Sequence, residues 1–285
     1  MRRKQFIRTL RGGVWAGIML LCLVGAGLIL LSILVIIASR GLRTLTWEMI
    51  STPPQRAFYL GGSGGILNAI TGSLYLAVGS TAVATVVAVP VVLYLHTYGK
   101  GRRSARLIRL TLDVMWGMPS IVYGAFVFSV MLAIGLRASL LAGILTLALL
   151  TLPILTRTFD EVMLMVPGAL SESTLALGAT RTELAGVLLR QTLPGLLAGV
   201  LLAFERSIGD GASILFSAGY TDAMPSSLMR PVASLPLAIF FQLSTPFPEV
   251  QARAHTAALV LTAIILVFGI LAYVIRARVG RHVIR

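Results

Sequence analysis

Residues Val14–Ala38 read VWAGIMLLCLVGAGLILLSILVIIA, a stretch without a charged residue that is long enough to cross a bilayer as a helix. Similar apolar runs recur along the 285-residue chain, which is 57% hydrophobic and 12% charged. Soluble domains are about 45–50% apolar and about 25% charged. The runs do not alternate between apolar and polar residues, which excludes barrel strands. The sequence therefore predicts an all-α, polytopic membrane helix bundle.

Six transmembrane spans are predicted. Their approximate bounds are Val14–Ala38, Leu67–Leu95, Met115–Leu136, Ser139–Leu155, Pro194–Ala218 and His255–Ile275. We expect Pro119 to break or kink the third span, because proline removes a backbone donor and clashes with the preceding turn. The chain then divides into an N-terminal part, 1–66, with the first span, and a transmembrane domain, 67–285.

The basic residues predict the topology. Of the 24 Lys and Arg residues, 17 lie in the segments on one side of the predicted spans, 6 lie on the other side, and Arg206 lies inside the fifth span. The positive-inside rule then places both termini in the cytoplasm. The net charge of +14 is explained by this pattern, and we do not expect a nucleic-acid partner.

Two connections are longer than the topology needs. The cytoplasmic one covers about 157–193, and the external one covers about 219–254. The external connection is apolar but contains five prolines: Pro225, Pro231, Pro236, Pro246 and Pro248. It is either an external cap or a re-entrant segment that lines an entry, because non-helical backbone at membrane depth must be covered by protein or water.

The fifth span contains three ionisable residues within LLAFERSIGDGASILF, Leu201–Phe216. Arg206 and Asp210 are four residues apart, so they lie on one helix face and can touch, whereas Glu205 points elsewhere. Charged residues inside a span are usually functional. Two interpretations stay open here: Arg206 meets an anion while Asp210 limits how tightly it is held, or the two form a structural ion pair.

The cytoplasmic connection predicts two helices that meet at a corner. Gly178 suits the left-handed position that ends the first helix, and Thr180 with Glu183 forms a capping box that begins the second. Leu170, Leu175 and Leu177 give the first helix an apolar side. From the residues alone, this helix either packs on its own bundle or offers a docking surface.

The sequence ESTLALGA, residues 172–179, resembles the EAA loop of ABC importer permeases, with Ser173 and Thr174 in place of the usual alanines. Other segments, in order along the chain, resemble the A-type permease subunit of phosphate-specific ABC importers. They are GGILNAITGSLYL (64–76), GMPSIVYGAF (117–126), LTLALLTLPILTRTFDEVMLMVP (145–167), ERSIGDGASILFSAG (205–219) and MRPVASLP (229–236). This resemblance implies a type I importer fold in which residues of the loop dock on an ATPase: Glu172, Leu175, Gly178 and Ala179.

The resemblance also implies the function and the partners. It implies a channel-forming subunit of a phosphate importer in a prokaryotic plasma membrane, paired with a homologous permease and two copies of a cytosolic ATPase. An extracytoplasmic phosphate-binding protein delivers the substrate. The chain has no G-x-x-x-x-G-K-[ST] motif, so we expect ATP and Mg²⁺ to be bound by the ATPase and this chain to be neither an enzyme nor a cofactor carrier.

The resemblance carries over to single residues of the substrate path. Arg206 matches the arginine of the family, whereas Asp210 stands where the family usually has Glu. Arg157 matches an arginine after the fourth span, although a basic residue at a cytoplasmic helix end is also ordinary topology. Glu205 has no family role and could pair with a cation of the partner permease.

Two alternatives to phosphate transport remain open at this point. The first is the same architecture serving another oxyanion, such as sulfate, molybdate or tungstate. The second is a membrane scaffold or sensor that does not transport, against which the Glu172–Gly178 spacing argues.

Overall fold

The computed structural model describes residues 2–55, 64–99 and 101–279, and only the backbone of residues 2–11, 276, 278 and 279. The described residues are almost entirely helical, as predicted. The helices are α1 (Arg2–Thr44), α2 (Trp47–Ser51), α3 (Leu67–Thr97), α4 (Arg103–Trp116), α5 (Ser120–Ala133), α6 (Leu140–Leu164), α7 (Gly168–Ala176), α8 (Arg181–Gly209), α9 (Leu235–Leu243) and α10 (Pro248–Val279).

Five of the described helices, α1, α3, α6, α8 and α10, are long and apolar enough to span a membrane. Together α4 and α5 also pass this test, but they are bent by 105° at the break between them. Counting the bent pair as one span gives six, the number that the sequence predicts.

The bend lies at the predicted proline. Residues 117–119 separate the two helices, and Pro119 is the N-cap of α5, with a φ of −58° and a ψ of 139°. The Tyr123 hydroxyl donates to the Met115 carbonyl at 2.6 Å, which ties the two sides of the bend together. The predicted span Met115–Leu136 is wrong at its beginning, because residues 103–116 form a helix of their own.

The predicted fifth span, Pro194–Ala218, is wrong at both ends. Pro194 lies inside α8, which begins at Arg181, and α8 ends at Gly209 because Asp210 has left the helical conformation. The connection between α6 and α8 is correspondingly shorter than the predicted 157–193, since α6 continues to Leu164. The chain thus leaves α8 next to the charged residues and continues as turns.

The core lies between α3, α6 and α8, where small residues allow close approach. A Cβ on Gly195 would lie 2.6 Å from Val162, and one on Gly199 would lie 3.1 Å from Phe159. Phe159 is completely buried. The two glycines of this G-x-x-x-G sequence on α8 therefore form a close helix contact, and the contact lies within this chain.

The connection that the sequence predicts to be external is inserted into the bundle. Val232 and Leu235 are completely buried. The Leu235 N–H donates to the Ser73 hydroxyl at 2.7 Å, and a Cβ on Gly72 would collide with the Ala233 carbonyl. This supports the re-entrant alternative, because the polar backbone is covered by α3.

The first helix leaves most of its apolar surface uncovered by the rest of the chain. The most apolar window of α1 is entirely unburied, and Leu21 is 74% exposed. Contacts to α10 are formed near the C-terminal end of α1, where the Thr44 and Thr256 hydroxyls lie 2.5 Å apart. The apolar surface of α1 is therefore available to lipid or to another chain.

Candidate substrate path and coupling segment

The predicted ion pair is present at the C-terminal end of α8. Arg206 Nη1 lies 2.8 Å from Asp210 Oδ2, and the two side chains differ sharply in exposure, at 45% for Arg206 and 4% for Asp210. A cation at a helix C-terminus is favourable and an anion there is unfavourable. Arg206 therefore compensates a carboxylate that both its burial and the helix end disfavour.

Asp210 is held from the other side by the chain that follows it. The Ser213 N–H donates to Asp210 Oδ1 at 2.9 Å. Gly211 packs closely against the re-entrant segment, because a Cβ added to Gly211 would lie 2.7 Å from Pro236. The glycine beside Asp210 thus allows another part of the chain to approach, and the acid is fixed while the arginine reaches outward.

Glu205 faces a different neighbour. A Cβ added to Gly269 of α10 would lie 3.2 Å from a carboxylate oxygen of Glu205. Beside it, the ring centroids of Phe204 and Phe268 lie 4.3 Å apart. Among the described residues, no cation lies within ion-pair distance of Glu205. The predicted separation from the Arg206–Asp210 pair is confirmed, and the suggested cation on a partner permease stays a prediction.

Arg157 belongs to a second group of charges. Its Nη1 lies 2.6 Å from Asp113 of α4, and its Nε lies 3.9 Å from Glu161. Asp160 binds His96 at 2.7 Å and Arg109 at 3.2 Å, so it points towards α3 and α4 and not towards Arg157.

Sequence reasoning missed Asp113, His96 and Arg109 because it treated 103–116 as a connection. The signal was present: Arg109 and Asp113 are four residues apart, and apolar residues recur around them at helical spacing. A helical assignment of this segment predicts one face that carries both charges.

The two arginines of the predicted path lie at different depths. The Ser207 hydroxyl lies 2.9 Å from that of Thr151, so Arg206 is level with the part of α6 around Thr151. Arg157 is about six residues further along α6, roughly 9 Å away along the helix axis. No contact among the described residues joins Arg157 to Arg206.

The coupling segment has the predicted geometry. Gly178 has a φ of +84° directly after α7, and the Thr180 N–H donates to Glu183 Oε2 at 2.7 Å in a complete capping box. No residue of α7 is buried, and Leu177 is 89% exposed. This argues against α7 packing on its own bundle. Glu172, Leu175 and Ala179 lie on the same surface segment, and Leu175 is 45% exposed.

Comparison with known proteins defines the class. The profile of the family described as "Binding-protein-dependent transport system inner membrane component" matches residues 88–285. The structure resembles a chain of the MetNI methionine ABC transporter, with a TM-score of 0.59 and 20% identity, over 77% of this chain and 96% of that one. At this identity the likeness shows the fold, which is that of an ABC importer permease.

Curated relatives show which members of this family the chain is similar to. The phosphate transport system permease protein PstA of Yersinia pestis is 34% identical, over 84% of this chain and 79% of its own length. PstA 1 of Mycobacterium tuberculosis (strain H37Rv) is 36% identical, over 75% and 70%. The chain therefore belongs to the binding-protein-dependent inner membrane components and, among them, to the PstA family of permeases. It is a multi-pass membrane protein.

Proposed function

We propose that this chain is the channel-forming permease subunit of an ATP-driven phosphate importer. The relatives that match most of its length are phosphate transport permeases. The observation that carries the proposal is the half-exposed Arg206 guanidinium within the fifth span, held by the buried carboxylate of Asp210.

Electrostatics explain what this pair does for an anion. Phosphate is multiply charged and is excluded from a low-dielectric path, whereas a guanidinium offers a permanent charge and a fork of donors that fits its oxygens. Asp210 competes with phosphate for Arg206. Because the Ser213 N–H holds Asp210 in place, only the arginine has to move when the pairing changes.

Release of phosphate then depends on a change of conformation. An arginine without a competing acid would retain the anion, whereas Asp210 recovers Arg206 once phosphate has passed. ATP binding and hydrolysis on a partner would shift the bundle between states in which Arg206 faces phosphate or Asp210. Arg157, roughly 9 Å further along α6, is the second cation of the proposed path.

The coupling residues Glu172, Leu175, Gly178 and Ala179 support an ATPase partner. A short helix with no buried residue and an exposed leucine on its corner fits a cleft on another protein. We assign the ATP and Mg²⁺ to two copies of a cytosolic P-loop ATPase, because this chain carries no such motif. This chain would then bind no cofactor and catalyse no reaction itself.

The remaining partners follow from the membrane geometry. The unburied apolar surface of α1 suits a homologous permease subunit and membrane lipid. An extracytoplasmic phosphate-binding protein would deliver the substrate to the opposite side from α7. Both termini would be cytoplasmic, in the plasma membrane of a prokaryote.

Reconstitution tests the transport proposal. The complete complex in proteoliposomes should take up labelled phosphate only with ATP, and excess sulfate, molybdate or tungstate should leave the uptake unchanged. Uptake of one of those oxyanions in place of phosphate would favour the first alternative. An assembled complex that hydrolyses ATP without transporting any of them would favour a scaffold or sensor.

Two glycines provide a matched test of the coupling segment. Gly178 and Gly135 both have positive φ, +84° and +70°, and a Cβ added to either glycine would have no other atom within 4 Å. Gly178→Leu and Gly135→Leu therefore strain the backbone alike, by about 1–3 kcal/mol. Only Gly178→Leu should separate ATP hydrolysis from uptake or prevent ATPase binding. Equal effects of both variants would contradict the docking role.

A further inference from the structure

A cavity of about 370 Å³ opens between the end of α3, the first turns of α4 and the end of α6. Four of its lining residues are His96, Arg102, Arg106 and Arg109, and Leu164 lines another part. This volume is at the lower end of the range for small-ligand sites. Neither Arg206, Asp210 nor Arg157 lines this cavity, although Arg109 and Arg157 both line a neighbouring cleft.

The positive charge of this cavity is only partly compensated. Asp160 accepts from both His96 and Arg109, so one carboxylate serves two basic side chains. Arg102 and Arg106 have no carboxylate within ion-pair distance in the described ranges, and both are exposed. Two guanidinium groups at one opening therefore remain available to an anion with several oxygens, such as a phosphate group.

An apolar surface adjoins the charged one. Leu107 and Leu110 of α4 are 63% and 59% exposed, and Leu164 at the cavity itself is 67% exposed. Arg106 precedes Leu107 by one residue, so the charged and apolar surfaces meet along the same helix. A free phosphate ion would use only the charged part, whereas a lipid would use both.

We propose that this cavity binds the phosphate headgroup of an anionic membrane phospholipid. Arg102 and Arg106 contact the phosphate, and the acyl chains lie along Leu107 and Leu110. Basic pockets between transmembrane helices are suited to anionic headgroups, and each basic residue near such lipids strengthens binding by about fivefold. The proposal does not rest on the transported substrate.

Photocrosslinking tests this site in the assembled complex. Proteoliposomes contain photoreactive phosphatidylglycerol, and the label on α4 is measured by peptide mass spectrometry. Arg102→Gln with Arg106→Gln should reduce the label at least about tenfold. The matched control, Arg43→Gln with Arg190→Gln, removes two exposed arginines elsewhere and should leave the label unchanged. Arg102→Lys with Arg106→Lys keeps the charge and should retain at least half of it.

Competition distinguishes a lipid from free phosphate. Unlabelled phosphatidylglycerol should displace the label, whereas phosphatidylcholine and millimolar inorganic phosphate should not. Displacement by inorganic phosphate would overturn the lipid assignment in favour of a free-anion site. Three other results would also overturn it. They are an equal loss of label in the glutamine and control variants, a loss of label in an assembled complex with the lysine variant, and the absence of label on α4 in the unaltered complex.

Discussion

Two arginines of this chain each have an acid four residues later on the same helix, yet the two regions differ. Arg206 lies 2.8 Å from Asp210, whereas Arg157 lies 3.9 Å from Glu161 and 2.6 Å from Asp113 of another helix. Identical spacing thus gives a close local pair in one region and a distributed cluster in the other.

The exposure of the acid distinguishes the two regions. The Asp210 side chain is 4% exposed, but those of Asp113 and Glu161 are 55% and 65% exposed. Exposed ion pairs contribute about 0–1 kcal/mol, whereas removing one partner of a buried pair costs about 3–5 kcal/mol. Because Arg206 is itself 45% exposed, we expect its removal to cost the lower end of that range.

The largest expected effect on stability comes from Arg206→Ala, which leaves Asp210 buried without its cation. The free energy of unfolding should fall by about 3 kcal/mol, measured by denaturation of the purified chain in detergent. Adding Asp210→Asn to this variant removes the uncompensated charge and should recover a large part of the loss. If the double variant is no more stable than Arg206→Ala, Asp210 does not depend on Arg206.

The next effect concerns the competition between Asp210 and phosphate. Asp210→Asn keeps the size of the side chain but weakens its hold on Arg206, so phosphate should be retained longer. The apparent KM for phosphate should fall. The maximal uptake rate should decrease by roughly tenfold, which corresponds to the free energy of one charge-assisted hydrogen bond. Glu48→Gln, the corresponding substitution in an exposed acid outside the proposed path, should change both values less than twofold. A raised KM in Asp210→Asn would contradict the competition.

The smallest effect on stability is expected at Arg157. Arg157→Ala should lower the free energy of unfolding by no more than about 1 kcal/mol, and added salt should reduce this difference because exposed pairs are screened. Uptake should nevertheless fall several-fold if Arg157 contacts phosphate. Unaltered uptake would leave Arg157 with the ordinary role of a basic residue at a helix end.

Local sequence patterns predicted a large part of this structure. The left-handed glycine at 178, the capping box of Thr180 and Glu183, and the contact of Arg206 with Asp210 each involve residues at most four positions apart. Their geometry depends on the backbone of one turn, which the residue types largely determine.

Other features depend on distant parts of the chain. Pro194 lies inside α8, where the adjacent Gly195 packs closely against Val162 of α6. The burial of Asp210 depends on a re-entrant segment that presses Pro236 against Gly211. Asp113 is 44 residues from Arg157. No periodicity within one window predicts such contacts, because they are formed by the packing of separate helices.

The role of Arg206 as the cation that phosphate meets is tested most directly by labelled phosphate uptake. Complexes with Arg206→Ala are compared with complexes carrying Arg190→Ala, an exposed arginine of the same helix, after ATPase binding has been verified for both. We predict uptake at least about 100-fold lower for Arg206→Ala, the value of about 3 kcal/mol of charge-assisted contact, and normal uptake for Arg190→Ala. Normal uptake by the assembled Arg206→Ala complex would contradict the assignment.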